Sequence, residues 1–219
     1  MTGRHTFHEK LDNLHSDLLK MGSLVEQAIH LSVKSLVEHD SVLAEQVIEN
    51  DDEIDALNLK IEKDCFGLIA LQQPMASDLR RIGTVLKIVT DLERMADNAV
   101  TISKATLRLK GQAYVKQLID IPRMATLTEA MVRDALDCYI HSDTEKAYQI
   151  AKNDDAVDKL YKEIHNELVE IMQKDSSTVF QATQFLFVAH SLERIGDHAT
   201  NLAEWVIYFV TGKLEELND

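Results

Sequence analysis

One stretch of this chain is written twice. "NDDEIDALNLKI" at 50–61 returns as "NDDAVDKLYKEI" at 153–164, and "DLERMADNAV" at 91–100 returns as "SLERIGDHAT" at 191–200. The first pair is displaced by 103 residues and the second by 100. Three residues are therefore lost between the two segments, and an indel there marks a loop, placed in "QQPMASD" and "KDSST". The offset of 103 also holds upstream, at Met21/Met124, Leu24/Leu127, Glu26/Glu129, Asp40/Asp143 and Ala44/Ala147. Repetition over this length means one supersecondary unit encoded twice.

The unit reads as three helices. Phe7, Leu11, Leu14, Leu18, Met21, Val25 and Ala28 advance in alternating steps of four and three, the seam of a bundle helix running from about Phe7 to His39. "HDS" at 39–41 breaks it, and Asp40 can cap the next helix. That helix runs to about Leu71. Pro74 lies in the following turn, and a third helix runs from about Ser77 to Lys110, ended by Gly111. In the second copy the first helix starts near Pro122, "HSD" at 141–143 is the break, "DSST" at 175–178 is the turn, and Gly212 ends the last helix. No segment alternates as a strand does. The expected fold is all-α: two similar antiparallel three-helix bundles from an internal duplication, with repeats at 1–111 and 112–219. Only 7 Gly and 2 Pro in 219 residues suit long helices.

The net charge of −14 argues against nucleic acid and anionic membrane surfaces as partners, since both need a basic footprint. Cys65 and Cys138 are isolated thiols, and the N-terminal segment has no unbroken apolar run. The longest apolar runs, "FLFVA" and "WVIYFV", are too short to span a bilayer. The expectation is a soluble cytoplasmic protein without membrane insertion.

The repeated segments carry acid-x-x-x-Asp four times: Asp51 with Asp55, Glu93 with Asp97, Asp154 with Asp158, and Glu193 with Asp197. Residues four apart share a helix face. A short turn makes the second and third helices of each copy antiparallel. The pairs 51/97 and 55/93 both centre on residue 74, and 154/197 and 158/193 both centre inside "KDSST". Each hairpin thus brings its two acidic pairs to one height, at the border of the apolar stripes built on Val85, Val89, Leu92 and Ala96 and on Ile54, Leu57 and Ile61. Two unit charges about 4 Å apart cost roughly 4 kcal/mol at an effective dielectric near 20. Protonation or a bound cation relieves this, and oxygen ligands suit Mg, Ca, Mn or Fe. His165 in place of Glu62 and Glu204 in place of Lys104 could add a nitrogen ligand and a fifth acid to the second site. The competing reading is an ordinary salt-bridged surface, since Glu93 and Glu193 are each followed by Arg.

His5, His8 and His15 read as exposed. His198 reads as a hydrogen bonder rather than a ligand, being about 100° round the helix from Asp197. Trp205 begins an apolar run that fits a core or a partner. There is no Gly-rich phosphate loop, nucleophile elbow or Cys/His dyad.

Taken together, "NDDEID", "DLERMADNA", "NDDAVD" and, most specifically, "SLERIGDHATNLAE" resemble the PhoU family of phosphate-uptake regulators over nearly the whole chain. The first copy departs from the family pattern at "MADNA", where Gly and His are usual. The resemblance implies a cytoplasmic, non-enzymatic accessory protein of the phosphate ABC transporter. Such a protein acts between the transporter's ATPase subunit and a sensor histidine kinase, as a negative regulator of the phosphate-starvation response. It also implies a homodimer and metal ions (Fe, Zn or Mn) on Asp51, Asp55, Glu93, Asp97, Asp154, Asp158, Glu193 and Asp197. The alternative is a carboxylate-bridged metalloenzyme of ferritin-like type. That class places Glu-x-x-His motifs on its helices, and none occurs at the acidic pairs.

Overall fold

The computed structural model describes residues 2–217, with side chains from Phe7 onward. The described residues form six long helices: α1 (Thr2–Glu38), α2 (Ser41–Gln72), α3 (Ala76–Arg108), α4 (Asp120–His141), α5 (Thr144–Lys174) and α6 (Val179–Thr211). A single 3₁₀ turn, Ser176–Thr178, precedes α6. No strand occurs among the described residues, and none of their helices is long and apolar enough to cross a membrane.

The breaks are made by the residues the repeat predicts. Asp40 accepts hydrogen bonds from Val42 N and Leu43 N, and Asp143 from Lys146 N, so each carboxylate satisfies donors that a helix start leaves orphaned. His39 and Ser142, the matching residues before these caps, both take φ 56°. Asp175 accepts from Ser177 N in the turn before α6. Gly212 closes α6 at φ 77°, its N–H donating to Tyr208 O. The α1 seam follows the sequence to Val25 and then moves: Ile29, not Ala28, is fully buried, followed by Val33 and Leu36. Successive steps of four keep the stripe on a straight helix of 3.6 residues per turn, where a strict seven-residue repeat would supercoil it.

Within each repeat the three helices pack on one another. The repeats then join through their third helices, α3 and α6, which lie antiparallel and pack as extensively as α5 and α6 do. Lys87 Nζ sits 5.3 Å from the Trp205 ring centre, Asp91 meets His198, and Arg108 Nη1 donates to Gln184 Oε1 at 3.2 Å. First helices also meet: α1 and α4 approach so closely at Gly22 that a Cβ there would stand 2.8 Å from Leu136 Cδ1. Helices α2 and α5 are the outer members, touching only their own repeat. Buried residues of both repeats form one continuous apolar cluster.

The connection between repeats, 109–119, is tied down rather than loose. Tyr114 donates its hydroxyl to Leu36 O at 2.7 Å, stacks on His39 and meets Phe185 edge-on. Gln181 of α6 accepts from Val115 N and donates to Ala113 O.

Candidate functional site

Asp51 and Asp55 project from α2, and Glu93 and Asp97 from α3. Asp51 and Glu93 are half-buried, while Asp55 and Asp97 are exposed. The four stand in one another's field. The Asp51 carboxyl is pushed up to about 6, first by burial and then by Asp55, Asp97 and Glu93. Glu93 is raised by burial and then by Asp97, with Arg94 opposing. Among the described residues no ion pair relieves any of the four.

The second quartet is more enclosed. Asp154, Asp158, Glu193 and Asp197 line one open cavity of about 410 Å³ with Ala151, Lys152, Asp155 and Leu217. Asp154 is only 6% exposed. It lies against α6 at Gly196, where a Cβ would come within 2.8 Å of its Oδ1. The equivalent residue in the first repeat is Ala96. Three of the four carboxylates have basic neighbours one helical turn away: Asp158 with Lys162 at 3.4 Å, Glu193 with His190 at 3.2 Å, and Asp197 with Arg194 at 3.0 Å. Burial raises Glu193, Asp197 adds to the shift, and His190 partly offsets it. Its Oε2 is nonetheless buried without a hydrogen-bond partner, because the His190 contact lacks hydrogen-bonding geometry.

Each hairpin therefore gathers its four acids on one patch, as the antiparallel arithmetic requires. Gathering is not contraction: among the described residues no three Asp, Glu, His or Cys side chains stand as a metal-binding group. Like charges repel one another, and in the second quartet Lys162 and Arg194 each pair with one acid. The donor chemistry fits a cation. Carboxylate oxygens suit hard and borderline divalent ions. The orphaned Glu193 Oε2 is an acceptor without a donor, and the missing Cβ of Gly196 makes room for Asp154. Asp51, Asp55, Glu93 and Asp97 would hold one cation site. Asp154, Asp158, Glu193 and Asp197 would hold the other.

Several expectations need correction. His165 is exposed on α5 and does not line the second cavity; the imidazole beside a quartet acid is His190. Its spacing of three from Glu193 was legible in the sequence. Glu204 does not join the quartet either, because it turns to the tail and accepts from Leu217 N at 2.7 Å. Burial raises its pKa, and that N–H opposes the shift. Leu217 packs over the edge of the second cavity, a placement with no sequence signal. His15 is half-buried, its ring 5.4 Å from that of Tyr139, because α4 covers that face of α1. His8 is exposed, and the side chain of His5 lies outside the described residues. His198 is a buried hydrogen bonder whose Nδ1 stands 3.0 Å from Asp91 Oδ1 across the α3/α6 junction.

Comparison with known proteins agrees with this architecture. A family model described as the PhoU domain matches residues 18–106 and again 121–206. A Clostridium acetobutylicum protein named phosphate-specific transport system accessory protein PhoU homolog is 48% identical over 99% of each chain. The Escherichia coli protein named phosphate-specific transport system accessory protein PhoU is 33% identical over 94% of this chain and 86% of its own length. The crystal structure of PhoU from Pseudomonas aeruginosa superposes with a TM-score of 0.92 at 37% identity, covering 94% of this chain and all of that one.

Proposed function

The chain belongs to the PhoU family, and from that premise we propose that it is a cytoplasmic, non-enzymatic regulator of phosphate uptake whose two acidic quartets bind divalent cations. The observation that supports the regulatory reading is the match over nearly the full chain to proteins named as accessory to phosphate transport. In this reading the protein works as a homodimeric adaptor. It contacts the ATPase subunit of the phosphate ABC transporter and a phosphate-sensing histidine kinase, and restrains the phosphate-starvation response. Faces rather than a reaction centre carry the function. An acidic surface in a chain of net charge −14 favours basic patches on partners and weakens with salt.

The cation reading rests on the geometry of the quartets. Glu93 and Glu193 sit at the α2/α3 and α5/α6 seams, so a cation there would clamp the third helix of a repeat to the second. Binding to the folded state alone adds stability by mass action, since the unfolded chain scatters the ligands. The bound ion would supply charge neutralisation, and the chain's own residues supply all positioning.

Two experiments test the two halves. Deleting the gene should leave the starvation response switched on in high phosphate; continued repression without it rules out the regulatory role. Protein purified without chelator should carry Mn, Fe or Zn by elemental analysis. Its melting temperature should fall on chelation and recover with those ions. An unchanged melting temperature returns the carboxylates to a plain surface role.

A further inference from the structure

Between the two quartets, where α3 crosses α6, the surface changes sign. A cavity of about 360 Å³ is lined by Arg94, Lys104, Arg194 and His198 together with Asp97, Asn98 and Thr101. Both repeats contribute, so neither repeat alone contains it. Its counterpart residues differ in sequence: Lys104 matches Glu204, and His198 matches Asn98. Arg94 and Arg194 are each other's repeat equivalents, so Lys104 and His198 are what the duplication does not supply.

The partners of these cations separate them into two classes. Arg194 is committed to Asp197 at 3.0 Å. Arg94 and Lys104 are exposed and have no ion-pair partner among the described residues. His198 is buried, with its Nδ1 held by Asp91, which fixes the ring and leaves Nε2 as the nitrogen for a ligand. Asn98 spends one amide hydrogen on Arg94 O at 2.8 Å and keeps the other. A dianion would find two uncommitted charged donors, a fixed imidazole and an amide in one concavity.

We propose that this junction pocket binds a phosphoryl dianion. Guanidinium and ammonium donors with a neighbouring imidazole match tetrahedral oxyanion geometry. The net charge of −14 does not forbid it, because charges beyond about 10 Å are screened at ordinary ionic strength. Asp97 is the local opponent. It also belongs to the first quartet, so a cation there would strengthen anion binding, and reciprocally. That coupling rests on the cation reading; the pocket itself does not. The dianion can be free phosphate or the phosphate of a small ester, and the cavity has room for either.

The test is equilibrium dialysis of the chelated full-length protein against labelled inorganic phosphate, with labelled AMP as the second arm. Chelation keeps the outcome independent of the quartets. Saturable binding of at least one of the two should appear, about one per chain. The double variant Arg94→Gln/Lys104→Gln should weaken it about tenfold or more, since each removes a charge-assisted hydrogen bond. Lys110→Gln, an exposed charge outside the pocket, should leave it unchanged. Both pocket side chains are exposed, so the variant should melt as the parent does. Phosphate binding alone identifies the free ion, and AMP binding alone the ester. Absence of both, or undiminished binding in the double variant, overturns the proposal.

Discussion

The two quartets use the same four-acid plan and solve its charge problem differently. In the first repeat, Ala96 stands where the second has Gly196, Asp51 is half-exposed, and none of the four acids has an ion pair among the described residues. In the second, Gly196 admits Asp154 into a buried position, and Lys162, His190 and Arg194 each stand by one acid. One site holds its repulsion without an ion pair, with Asp51 at about 6, and the other spreads it over surface pairs. The lesson is that acid spacing alone does not fix the strength of a carboxylate site. The residue one turn away, and a single methyl group on the facing helix, do so.

The largest expected effect follows from that contrast. Loading with Mn at about a hundredfold excess over Kd should stabilise the fold by about 2.7 kcal/mol. For a chain of this size that is about 5–10 °C in Tm. An all-oxygen quartet favours Mn, whereas His190 beside Glu193 adds a nitrogen that favours Zn. Glu93→Gln should therefore remove most of the Mn-induced shift and spare the Zn-induced one, and Glu193→Gln the reverse. Equal losses for both ions in both variants would erase the distinction between the sites.

Next in size is the methyl group. Gly196→Ala places a Cβ 2.8 Å from Asp154 Oδ1, so the carboxylate must leave its pocket. Displacing the buried carboxylate costs about 1–3 kcal/mol and the alanine's helix propensity returns about 1, so the net cost should be about 0–2 kcal/mol in urea unfolding. Ala96→Gly removes no such clash and costs about 1 kcal/mol of helix propensity. If Gly196→Ala stabilises by the full ~1 kcal/mol of helix propensity, the close approach of α5 to α6 is not what sets the second site apart.

Asp51→Asn should stabilise the cation-free protein. The carboxyl is raised from 3.8 to about 6. Below about pH 4 it is protonated in both states and the substitution is neutral. Between about pH 4 and about 6 the unfolded chain ionises while the folded carboxyl keeps its proton, so the folded state loses stability across that window and the gain from Asn grows through it, complete above about pH 6. With the site half-exposed, solvent screening reduces it to about 1 kcal/mol. A stability difference that does not change between pH 4 and pH 8 would sink the account of crowded carboxylates.

The caps give the smallest contrast. Asp40 accepts two backbone N–H bonds and Asp143 one. Asp40→Ala should cost about 1 kcal/mol and Asp143→Ala somewhat less, each read from denaturant midpoints. Reversal of that order would mean that α5 depends on its cap more than α2 does.

The sequence by itself determined the helices, the breaks and the acid heights. Asp40, Pro74, Asp143 and Gly212 act on their immediate neighbours, and i,i+4 spacing is a property of any α-helix. Hairpin symmetry about residue 74 needs only a short turn, so the four acids of each repeat could be assigned to one patch from spacing alone. What lies across helix seams was not legible in this way. Rotation and closeness of α5 against α6 decided that Asp154 is buried and Asp51 is not. Docking of α3 on α6 paired Asp91 with His198 and gathered Arg94, Lys104 and Arg194 from segments far apart in the chain. Contacts of this kind depend on the packing of whole helices, whose interlocking is set by every side chain in the shared apolar core. A helix carries its own period in its sequence, but its rotation against a distant neighbour is decided only when both are packed.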